Sequence, residues 1–162
     1  MDLTPDAVER EATRMRTRDD VVVPLINDTR ARLGDLFGTA VADVTPAAYR
    51  EEVDAVFADG EVAVNVAGFV VLLRELDVEG DYPGFVVDEI LGRELAATIA
   101  GGHPLSLLAQ ATFHFADVHT HTEGPAGADD LDAALAAGFQ TRLPGWSWRD
   151  GESPFSVRRD RD

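Results

Sequence analysis

The sequence predicts an all-α fold, a single-domain bundle of six or seven helices followed by an irregular C-terminal tail. Three observations lead there. Threonine–proline pairs at Thr4-Pro5 and Thr45-Pro46 combine an N-cap with a proline suited to a first helical position. Apolar residues recur at three- and four-residue spacing along most of the chain. The joints between these stretches are short, and none resembles a linker between domains. The helical domain is expected over residues 1–143 and the tail over residues 144–162. At 162 residues the chain can bury a core of its own.

The first helix opens at Pro5, carries Val8, Ala12 and Met15 on one stripe, and is expected to end near Asp19 and Asp20. Val21, Val22 and Val23 precede Pro24, which biases them toward extended backbone. A second helix is expected from Pro24 to Ala42, with Ile26, Thr29, Leu33, Leu36, Phe37 and Ala40 facing inward. The third opens at Pro46, lines up Tyr49, Val53, Val56 and Phe57, and stops at Asp59-Gly60. Residues Glu61 to Leu76 are apolar almost all round, the pattern of a helix in the middle of a bundle, although their β-branched content also suits a strand pair. After a polar turn from Asp77 to Tyr82, Pro83 opens a fifth helix with Val86, Val87, Ile90, Leu91 and Leu95 inside. Gly101 and Gly102 stop it. Pro104 opens a sixth that reaches at least Ala116. A loop from Thr122 to Ala128 leads to a last short helix over about Asp130 to Phe139.

The composition constrains the solvent more than the chemistry. All 14 residues in the Lys+Arg count are arginine, cysteine is absent, and acids outnumber bases 30 to 14, leaving a net charge of −16. A GC-rich genome accounts for missing lysine but not for the acidic excess. Charge of this size repels itself in dilute solution, and molar salt shortens the Debye length to about 3 Å and screens it. The composition resembles that of proteins from halophilic archaea that keep salt in the cytoplasm. The N-terminus lacks the basic and apolar regions of a signal peptide, and the run from Val62 to Leu73 is too short to span a bilayer. A cytoplasmic protein is expected. Its charge argues against nucleic acid and anionic membranes as partners.

Several reaction classes are excluded outright. Without lysine there is no Schiff-base chemistry and no Walker-type phosphate loop, and Gly124 to Gly127 lacks the strand context for one. Cysteine nucleophiles and cysteine-based zinc sites are absent. The serines are Ser106, Ser147, Ser153 and Ser156, and none sits in a nucleophile elbow.

The polar residues that could carry chemistry lie between His103 and Glu123. Asp117, His119 and His121 spell an Asp-x-His-x-His motif that resembles the start of amidohydrolases and of the polymerase-and-histidinol-phosphatase phosphoesterases. That motif must open a barrel of about 200 residues or more, and only 41 residues follow His121. Read as a helix, Gln110, His114, Asp117 and His121 fall within an arc of about 60°. Two imidazoles and a carboxylate on one face could hold a divalent transition metal, with Asp88, Glu89 or Glu94 from a facing helix. The same stripe is also what a solvated helix face looks like, with His114 and Asp117 as an i,i+3 pair. No other cofactor is expected.

Arg10, Arg14 and Arg18 recur every fourth residue, interleaved with Glu9, Glu11 and Asp19 as on a salt-bridged face. Arg74 is the sole cation of the Glu61–Leu76 segment, too little for reading DNA. Trp146 and Trp148, after Pro144-Gly145, are candidate anchors for a protein partner. The function expected is a non-catalytic helical accessory or interaction protein, binding a protein partner or forming a homo-oligomer in a halophilic cytoplasm. The alternative is a metal-binding helical bundle, with or without enzymatic activity, using His114, Asp117 and His121.

Overall fold

A computed structural model describes residues 2–76, 87–117 and 127–145. It contains seven helices among those residues: α1 (Pro5–Thr17), α2 (Asp19–Phe37), α3 (Pro46–Ala58), α4 (Gly60–Glu75), α5 (Val87–Ala100), α6 (Leu105–Asp117) and α7 (Gly127–Arg142). The chain is an all-α bundle with one continuous apolar core.

Both threonine–proline signals act as caps. The Thr4 hydroxyl accepts from the Ala7 amide at 3.1 Å, and that of Thr45 accepts from Ala48 at 3.2 Å. Asp59 caps α4 by accepting from the amides of Glu61 and Val62. Residues Glu61 to Glu75 are therefore helix and not a strand pair. α3 and α4 are together apolar enough to resemble a membrane span but meet at 111°, and among the described residues no single helix is long and apolar enough to cross a membrane.

The helix α2 departs from expectation at both ends. Val21 to Val23 are helical, and Pro24 lies inside α2. Val22 and Val23 are buried, and burying such a side chain contributes roughly 1.5–3 kcal/mol. That outweighs the extended preference ahead of proline. At its other end α2 stops at Phe37, where Gly38 adopts left-handed backbone (φ 61°, ψ 36°) and donates to the Gly34 carbonyl. The inward stripe consequently ends at Leu33, and Leu36 and Phe37 are exposed. Ile90, also expected inside, is exposed in the first turn of α5.

The largest correction concerns the centre of the bundle. α4 was expected there from its apolar composition, but α7 occupies it and touches α2, α3, α4, α5 and α6. Every residue from Ala133 to Thr141 is buried. The reason is size. Ala133, Ala134, Ala136, Ala137 and Gly138 present so little bulk that neighbours approach on all sides, while the longer side chains of α4 hold neighbours away. A Cβ on Gly138 would lie 2.9 Å from both the Ala96 carbonyl oxygen and the Ile99 Cβ of α5.

Polar contacts fix the position of α7. Arg30 of α2 is 1% exposed. Its Nη1 donates to the carbonyls of Ala42 (2.9 Å) and Pro144 (2.7 Å), and its Nη2 to those of Gln140 (2.7 Å) and Leu143 (2.8 Å). Arg142 donates from Nε to Glu52 of α3 at 2.6 Å. Tyr49 stands edge-on to Phe139 with ring centroids 5.3 Å apart and donates its hydroxyl to the Met15 carbonyl. Burial, followed by the charges of Asp132 and Asp19, raises the Tyr49 phenol above its ordinary range.

The close approach of α5 and α7 predicts that Gly138→Ala destabilises the protein by about 1–3 kcal/mol through overpacking. Gly60→Ala, where an added Cβ meets nothing within 4 Å, is expected to be neutral or slightly stabilising. Chemical denaturation of both variants in molar KCl checks this pair.

Candidate functional site

The polar stripe singled out by the sequence begins on α6. Gln110 is half-buried, His114 is exposed and Asp117, the last residue of α6, is half-buried. His121 lies outside the described residues, as do Trp146 and Trp148. Two of the three proposed facing acids have local partners. Asp88 accepts from the Glu89 amide at 3.0 Å, Glu89 pairs with Arg93, and Glu94 is exposed. Among the described residues, no three His, Cys, Asp or Glu side chains come together as a metal site would require.

A different constellation is assembled from α1, α4, α7 and the Arg18 joint between α1 and α2. These segments line an open cleft of about 340 Å³, at the lower end of the range of small-molecule sites. Met15, Val70, Leu131 and Leu135 supply its apolar lining. Arg14, Arg18 and Arg74 supply three guanidiniums, with Thr17 and Asp132 beside them.

Two buried carboxylates hold those guanidiniums in place. Asp132, with a side chain 2% exposed, takes a bidentate pair from Arg18: Nε to Oδ1 at 3.0 Å and Nη2 to Oδ2 at 2.7 Å. Glu11, on the buried side of α1, accepts from Arg74 Nη1 at 2.8 Å and from Arg14 Nη1 at 3.1 Å, and also pairs with Arg74 Nη2. The hydrogen bond to Asp132 is the main reason the Arg18 pKa is raised, and the bond to Glu11 does the same for Arg74, each against an opposing desolvation. Permanently protonated forks do not exchange protons near neutrality. Their N–H groups donate to anionic oxygens, here those of Asp132 and Glu11.

The sequence contained parts of this site but not their meeting. Arg14 and Arg18 read as members of a salt-bridged face, and Arg14 does pair with Glu11 three residues away. Arg18 instead reaches 114 residues along the chain to Asp132, and Arg74 reaches back 63 residues to Glu11. No local signal singles out Asp132, which follows Asp129 and Asp130 at the acidic start of α7.

A helical bundle with an arginine-lined pocket is the class of protein that fold and site define. The chain belongs to the family described as Domain of unknown function (DUF7984), which matches residues 1–159. No curated protein and no solved structure matches it.

Proposed function

We propose that this chain is a non-catalytic helical accessory or interaction protein of a salt-filled cytoplasm, and that it works by binding another protein, in the first instance a second copy of itself. The observation that carries this reading is the outer face of α4. The helix buries Ala63, Val66, Ala67, Val70 and Leu73 in the bundle, yet Val64 and Leu72 on its other side are 44% and 43% exposed. Gly68 lies between them, half-buried, and Phe69 and Val71 are half-buried beside it. From Val62 to Leu73 the helix has no charged residue, the exposed Asn65 being its one polar side chain, while Glu61, Arg74 and Glu75 stand at its ends. An apolar centre with a charged rim is the anatomy of an interface. A largely apolar helix that does not occupy the centre of its own bundle supports this reading, since its outer face has apolar side chains for a partner to cover.

The salt reading supplies the conditions. Two chains of net charge −16 repel each other in dilute buffer, whereas at molar salt charges further apart than about 3 Å are screened and apolar contact decides. The same net charge disfavours nucleic acid and anionic membranes.

Light scattering after size exclusion in molar KCl is expected to give a mass near twice 17.5 kDa. Leu72→Glu should return it to the monomer mass without loss of helix by circular dichroism. A clean wild-type monomer with no co-purifying protein contradicts the reading. Salt dependence is checked separately: helix content and melting temperature should fall in low salt and recover in molar KCl, and equal values in both would rule out salt adaptation.

A further inference from the structure

We infer that the C-terminal segment from Trp146 to Trp148 pairs as a short antiparallel strand with residues 39–41 and lays both indoles on the exposed end of α2. The surface comes first. The last turn of α2 leaves Phe37 45% exposed, and Leu36, 62% exposed, borders it. At 100° per residue Arg30, Gly34 and Phe37 share an arc of about 60°. One face of α2 therefore presents the buried arginine, a glycine and an uncovered ring in succession.

The chain after α2 doubles back along this face. The Thr39 amide donates to the Gly34 carbonyl at 3.0 Å. A Cβ on Gly34 would lie 2.8 Å from the Thr39 carbonyl oxygen and 3.4 Å from Val41 Cγ2. Thr39 and Val41 are half-buried, whereas Ala40 and Ala42 are exposed, the alternation of an extended segment with one side against a helix. Val41 makes an isolated β-bridge. The Ala42 amide donates to the Gly145 carbonyl at 3.2 Å. That is the bond that flanks an antiparallel pair in which Val41 faces the residue after Gly145, and this residue is Trp146.

The sequence suits such a strand. Trp146-Ser147-Trp148 alternates apolar, polar and apolar, the period of a half-buried strand. In the antiparallel register Trp146 faces Val41 and Trp148 faces Thr39, and opposed side chains share one side of the pair. Both indoles then lie on the side of Val41, toward Gly34 and Phe37, and Ser147 points out beside Ala40. Aromatic pairs form at centroid separations of about 4.5–7 Å, and Trp148 stands opposite a residue only two beyond Phe37. The start of the segment is already held: Arg30 donates to the Pro144 carbonyl at 2.7 Å, and Gly145 supplies the φ of 112° on which the chain turns. The tryptophans thus serve this chain's own surface, independently of the α4 face.

The chain has two tryptophans, so Trp146→Phe and Trp148→Phe each leave one indole to report by fluorescence in the full chain in molar KCl. Acrylamide should quench both variants severalfold less than N-acetyltryptophanamide in the same salt. NMR of the wild type should show NOEs from Trp146 to the Val41 methyls and from Trp148 to the Phe37 ring. Adding Phe37→Ser to Trp146→Phe should raise quenching of Trp148 with helix content unchanged, while Leu107→Ser, at an exposed leucine of α6, should not. The inference is overturned if either indole is quenched as readily as the free compound, if both NOEs are missing, or if Phe37→Ser acts no differently from Leu107→Ser. Protection that disappears on dilution of the folded protein assigns the segment to a second copy and overturns it as well. Self-association through α4 alters none of these results.

Discussion

The guanidinium of Arg30, enclosed in the bundle, is the contact on which the rest of the arrangement depends. A helix that ends inside a protein leaves its last carbonyls without backbone donors. α7 ends this way, and Arg30 answers the carbonyls of Gln140, Leu143 and Pro144 together with that of Ala42 in the segment between α2 and α3. A cation at a helix C-terminus also complements the macrodipole. Its planar fork spreads donors over several acceptors, which a lysine ammonium does less well. The backbone has adapted to it. Gly145 has φ 112°, and a Cβ there would lie 3.0 Å from Arg30 Nη1 and 3.0 Å from the Ala42 Cβ. The Ala42 amide donates to the Gly145 carbonyl at 3.2 Å. One side chain thereby fixes the end of the central helix, the α2–α3 connection and the start of the C-terminal segment.

What happens at one end of α7 reaches the site through the helix itself. α7 carries Leu131, Asp132 and Leu135 into the pocket nearer its N-terminal end. Asp132 then draws in Arg18, and Arg18 is the residue on which α1 hands over to α2. Two arginines from the same stretch of chain, Arg18 and Arg30, therefore pin opposite parts of one helix. Small side chains let that helix sit among five neighbours, and the polar clamps give it a register that alanine alone would specify weakly. The two fasteners differ in depth: Arg30 is itself buried, whereas Arg18 is partly exposed and reaches in to a buried carboxylate.

Local features were legible in the sequence, and distant meetings were not. The caps at Thr4 and Thr45, the stripes of α1 and α3 and the helical state of α4 follow from short-range rules, and the structure contains them. Val21 to Val23 show a local rule losing to burial. The exchange of α4 for α7 at the centre has a different origin: hydropathy records how apolar a face is, whereas position in a bundle also depends on how closely neighbours can approach. Arg30 looks in the sequence like any surface arginine, and only its place among Ile26, Thr29 and Leu33 on the buried side of α2 hints otherwise. The arginine cluster needed contacts spanning 63 and 114 residues, beyond any spacing argument. The histidine stripe was legible as a pattern, but His121, on which its completion depends, lies outside the described residues.

The account stands or falls on the role of Arg30, and equilibrium denaturation of Arg30→Met and Arg30→Lys in molar KCl, read beside amide exchange in the last turn of α7, measures it. Methionine approximates the arginine stem but offers the backbone carbonyls no donor, and those carbonyls cannot themselves be replaced by apolar groups. Arg30→Met is therefore expected to lose about 3 kcal/mol or more, since each buried carbonyl left without a donor costs roughly 1–3 kcal/mol. Arg30→Lys should lose less, and in both variants the amides of Gln140 to Arg142 should exchange faster than those at Ala133 to Ala137. If Arg30→Met is as stable as the wild type and protects the end of α7 equally well, the bundle does not depend on this residue, and the account is wrong at its centre.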